Sequence, residues 1–124
     1  MKIAIPVKTN KENPAVAPLF GKAKWFAIVD IDNNKIVIEP NPFKSGAEVI
    51  KWLYSLGVKA LIIKEMGSNP YEMVRELGLE VFYAGDGRVE LDEVVKNFKE
   101  NKLALIDEKK MSEIIKHHER KHTH

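Results

Sequence analysis

From Ala47 to Phe98 the apolar pattern of the chain changes period four times, and this alternation limits the fold more than any other feature. Ala47–Leu56 places Val49, Ile50, Leu53 and Leu56 on one helical face, and Gly57 stops it. Val58–Lys64 is a short β-rich run. Gly67-Ser68-Asn69-Pro70 then opens a second helix carrying Met73, Val74 and Leu77, which Gly78 ends. Ser68 or Asn69 is the expected cap, and Pro70 suits a first turn. Leu79–Ala84 is again strand-like, Gly85-Asp86-Gly87 turns the chain, and Val89–Phe98 is a third helix with Leu91, Val94, Val95 and Phe98 inward. Strands that alternate with helices must lie parallel and be covered by those helices.

The first forty residues add strands of another kind. Ile3, Ile5 and Val7 alternate with Lys2, Ala4 and Pro6, a strand with one strongly apolar face. Residues 8–18 are polar, carry two prolines and form a loop. Trp25–Ile31 and Lys35–Glu39 flank Asp32-Asn33-Asn34, a turn signal, and so form an antiparallel hairpin. Leu103–Ile106 reads as a short strand or an extended segment. Asp107 to about His118 reads as a last helix fraying into the tail. The expected architecture is α/β, with a mixed sheet containing one antiparallel hairpin strand. Residues 1–106 form one domain, and 107–124 add a C-terminal helix and a basic, His-rich tail.

Charge separates these two parts. Residues 109–124 hold five Lys/Arg against two Glu, while 1–108 hold 15 basic and 16 acidic residues. A body so nearly neutral gives no ground for a nucleic-acid partner. No apolar run approaches the roughly 20 residues of a membrane span. Met1–Val7 is too short and too strand-like for a signal peptide, so the chain reads as soluble and cytoplasmic. It has no Gln and is rich in Lys and Glu, a composition that leans thermophilic. It has no Cys, which excludes disulfides, thiolate-held zinc or iron–sulfur sites and cysteine nucleophiles. No nucleophile elbow is visible. Asp30 and Asp32 alternate on one strand, but residues 2–7 contain no acid, which counts against a two-metal nuclease.

Four places could carry chemistry. The turn Lys64-Glu65-Met66-Gly67-Ser68-Asn69 follows a buried strand and opens a helix, where α/β sheets tend to bind ligands. A helix start attracts anions, Lys64 adds charge and Met66 a soft sulfur. The same residues could equally make a plain turn and cap, with Met66 filling the core. Phe20 and Gly21 precede the hairpin; their physics alone reads as structural, with Lys22 and Lys24 solvated. Gly85-Asp86-Gly87 reads as a plain turn. His117, His118 and His122 are candidate metal ligands, and His118 and His122 are spaced to share one helical face. The general mobility of termini favours a solvated tail instead.

Four segments together resemble the dinitrogenase iron–molybdenum cofactor biosynthesis family, which includes NifX and the C-terminal domain of NifB. They are MKIAIPV, PLFGKAKWFAIVDID, the block from Asn41 to Ala84, and GRVELDEVVKNF. The resemblance covers about residues 1–105. It implies a ribonuclease-H-like, three-layer fold with a mixed five-stranded sheet. It also implies a non-catalytic role in binding, carrying or storing iron–sulfur or iron–molybdenum cluster material, with cluster-assembly or acceptor proteins as partners. Lys64, Met66, Gly67, Ser68 and Asn69 match the family's strand-to-helix glycine turn, and Phe20 and Gly21 its Phe-Gly motif. Family members often carry His before Phe-Gly, where this chain has Leu19. The alternative reading is a protein–protein adaptor or regulator that kept the fold without a cluster site.

Overall fold

Five strands form one mixed sheet in the order β3-β2-β1-β4-β5. The computed structural model describes residues 1–122, with side chains as far as Arg120. Its strands are β1 (Lys2–Val7), β2 (Trp25–Asp30), β3 (Lys35–Pro40), β4 (Val58–Ile63) and β5 (Glu80–Tyr83). Its helices are α1 (Gly46–Ser55), α2 (Ser68–Leu77), α3 (Leu91–Lys99) and α4 (Glu108–His122). β2 runs antiparallel to both β1 and β3, while β4 lies parallel to β1 and β5. The expected mixed sheet with one antiparallel hairpin strand is therefore present. Residues 104–106 extend it: Tyr83 N–H donates to the Ala104 carbonyl and Ile106 N–H to the Val81 carbonyl.

Side-chain alternation sends the apolar residues of the strands to two faces. Ala4, Phe26, Ile28, Leu61, Ile63 and Val81 pack on one side against Val49, Ile50 and Leu53 of α1, Val74 of α2 and Met111 of α4. Ile3, Ile5, Val7, Val29, Ala60 and Ile62 pack on the other against Leu91, Val94 and Val95 of α3. Both faces are thus covered, which is why β4 reads as almost continuously apolar and why β1, expected to have one apolar face, is buried on both, Ala4 and Pro6 included.

Two expectations are corrected. The cap of α2 is neither Ser68 nor Asn69 but Gly67, whose backbone is extended; no side chain caps the helix. Gly78 closes that helix in the left-handed conformation at φ 69°, which glycine adopts without steric cost. The second correction concerns the C-terminal segment, whose helix packs one face on the body. Met111 is fully buried, and Ile114 and Ile115 pack against the same cluster. The apolar stripe Met111, Ile114, Ile115 has the i, i+3, i+4 spacing of a helix face, hidden in the sequence among charged neighbours. Thr123 and His124 lie outside the described residues. No helix among the described residues is long and apolar enough to cross a membrane.

Candidate functional site

β1, β3, β4 and β5 share one direction, so the segments leaving their carboxyl ends gather at one edge of the sheet. Two of these segments are stitched together by main-chain bonds. Phe20 N–H donates to the Glu65 carbonyl at 3.2 Å, and Glu65 N–H to the Pro18 carbonyl at 3.2 Å. Phe20 and Met66 are the buried anchors of this seam. Phe20 sits edge-on to Phe26, with ring centroids 5.2 Å apart, and both it and Met66 belong to the core cluster under α1. Of the two readings open for Met66, the structure gives the core one: its side chain is 0% exposed.

The start of α1 meets the start of α2 at this seam. A Cβ added to Gly46 would lie 2.9 Å from Cγ of Pro70, so only glycine permits the two helix ends to approach this closely. Neither helix start receives a side-chain cap bond. Asn69 Nδ2 instead donates to Ser45 Oγ at 3.5 Å, linking the two helix starts. Each helix start carries the equivalent of about half a positive charge. Between them opens a cavity of about 430 Å³, lined by Gly21, Lys22, Lys44, Gly46, Gly67 to Pro70 and His118, together with Leu19 and Glu119. His118 arrives from α4. Its Cδ2 and Nε2 both stand 3.4 Å from where a Cβ of Gly67 would be, so the imidazole lies against the bare glycine.

The residues singled out in the sequence thus divide three ways. Gly21, Gly67, Ser68, Asn69 and His118 come together on this cavity. Phe20 and Met66 lie in the core. Lys64 and His117 face a second cavity of about 380 Å³, with Glu65, Tyr83, Asp86 and Glu113. There Lys64 Nζ donates to the Gly87 carbonyl, and His117 Nε2 stands 3.6 Å from Glu65 Oε1. The Tyr83 hydroxyl donates to Asp86; this bond, with partial burial, pushes the phenol up to about 12. The Gly85-Asp86-Gly87 turn, read as plain, therefore holds both Tyr83 and Lys64. The side chain of His122 lies outside the described residues, so its pairing with His118 does too.

Sequence reasoning missed Lys44 and Gly46, which line the first cavity; Lys22, read as solvated, is exposed and lines it too. Among the described residues no three His, Asp or Glu side chains are placed to hold a metal ion. Two helix starts, two lysines and one imidazole, opposed by Glu119, can hold an anion.

The family described as "Dinitrogenase iron-molybdenum cofactor" matches residues 1–101. An uncharacterised protein of Methanocaldococcus jannaschii is 33% identical over 112 residues, covering 83% of this chain and 89% of its own. Two solved structures share the fold. One is a candidate NifB protein from Thermotoga, with a TM-score of 0.72 at 24% identity, covering 85% of this chain and 92% of that one. The other is the apo form of the orange protein from Desulfovibrio gigas, with a TM-score of 0.75 at 19% identity, covering 84% and 91%.

Proposed function

The chain belongs to the dinitrogenase iron–molybdenum cofactor family, and from that premise we propose that it binds and carries an anionic metal–sulfur cluster without catalysing a reaction on it. The observation that carries this reading is the meeting of the α1 and α2 starts with Lys22, Lys44 and His118 on one cavity. The chain has no thiolate to offer. Its cargo is therefore a complex that brings its own sulfide ligands, held from outside by amides and ammonium groups, with the His118 imidazole beside it as a side chain able to reach a metal. Iron–sulfur or iron–molybdenum material fits that description. Such a carrier hands its cargo on, so its partners are cluster-assembly or acceptor proteins.

An anaerobic equilibrium dialysis of the full chain against tetrathiomolybdate, with bound molybdenum quantified, tests this. The wild type should bind, and K22E/K44E should weaken binding by about tenfold or more, because each reversal turns attraction into repulsion. Equal binding by both would place the anion elsewhere and remove this site. Leu19 beside the cavity and the absence of Cys favour the adaptor reading, which takes over if neither protein binds.

A further inference from the structure

β3 is the last strand on its side of the sheet, and its middle carries two of the most exposed large apolar residues of the chain, Ile36 at 47% and Val37 at 51%. The backbone parity of this strand is fixed by its partner. Asn41 N–H donates to the Lys24 carbonyl, and the register pairs Ile28 with Val37 and Phe26 with Glu39. Main-chain groups of Lys35, Val37 and Glu39 therefore point at β2, and those of Ile36 and Ile38 point outward. Pro40 also faces outward but has no N–H to offer, which ends the open edge there.

The strand reads Lys-Ile-Val-Ile-Glu over 35–39, and this short run is its own complement when reversed. We propose that β3 pairs antiparallel with β3 of a second copy of this chain, about a two-fold axis passing beside Val37. In that register Ile36 of each copy exchanges both main-chain bonds with Ile38 of the other. Val37 meets Val37. Lys35 of each copy stands opposite Glu39 of the other, so both ends of the paired segment carry opposite charges. The side chains also agree by face. Ile36 and Ile38 line the α3 side of the sheet, while Val37 and Glu39 line the α1 side. Each exposed apolar residue thus meets another, and each charge meets its opposite. A self-complementary patch of this kind closes a dimer and leaves no further edge on that side.

Sedimentation equilibrium of the full chain, from micromolar to millimolar concentration, tests the pairing. The wild type should dimerise. E39K sets like charges against Lys35 at both ends, so dimerisation should weaken about tenfold to a hundredfold. E39K is the cleaner single reversal, because the β2 neighbour of Glu39 is Phe26, whereas that of Lys35 is Asp30. The double exchange K35E/E39K restores opposite charges and should return the dimer to within a few fold of wild type. Circular dichroism checks that each variant stays folded. A monomer throughout the range overturns the proposal, and the Lys35 and Glu39 charges then act only to keep the edge apart. A dimer that E39K leaves unchanged, or that the double exchange fails to restore, overturns it as well.

Discussion

Gly46 and Pro70 are 24 positions apart in the sequence and touch in the fold. A Cβ on Gly46 would stand 2.9 to 3.0 Å from three atoms of the proline ring, none of which sits on a flexible side chain that could swing away. Gly46→Ala must therefore move α1 off α2, at a cost of about 1–3 kcal/mol for overpacking a tight contact. Denaturant unfolding should show this as a lower midpoint with an unchanged slope. Such a contact is invisible in one dimension. Gly46 reads as a helix-breaking turn and Pro70 as a first-turn residue, and nothing in either pattern says that they meet. The same limit applies to Met66: a methionine more often fills a core than ligates a metal, but its place in a turn does not say which way it faces.

At the scale of elements, periodicity located every strand and all four helices to within two or three residues at most ends. Burial on both sheet faces imposes continuous apolar runs on β2 and β4, and one-sided burial imposes the helical stripes of α1 and α3. The start of α2 was less legible, because its cap is set by the extended backbone of Gly67 rather than by a side chain. α4 was legible as a helix but not as a packed one. Among its described side chains only Met111 is fully buried, and the charges around it suggest solvent on all sides. That side chain, with Ile114 and Ile115 beside it, holds α4, and with it His118, across the glycine turn. Met111→Ala should cost about 2–5 kcal/mol of the docking of α4, as truncation of a buried Met does elsewhere. Hydrogen exchange should then show the amides of α4 losing protection while those of β1 and β4 keep theirs.

The whole molecule explains why the candidate site lies where it does. β3 and β4 end at the same edge, so the helices that follow them begin side by side, and the loop leaving β1 closes the group through Phe20 and Gly21. The topology thus brings two helix starts and two lysines from different elements to one cavity, with α4 adding an imidazole from outside residues 1–101, the stretch matched by the family. Ligands of open α/β sheets favour this edge. Anaerobic titration of the isotope-labelled full chain with tetrathiomolybdate, followed by amide NMR shifts, tests the account most directly. The largest shifts should fall on the amides of Gly46, Ser68 and Asn69, with those of Lys35 to Glu39 unmoved. Largest shifts around Lys64 and His117 instead, or no shift at all, would contradict it.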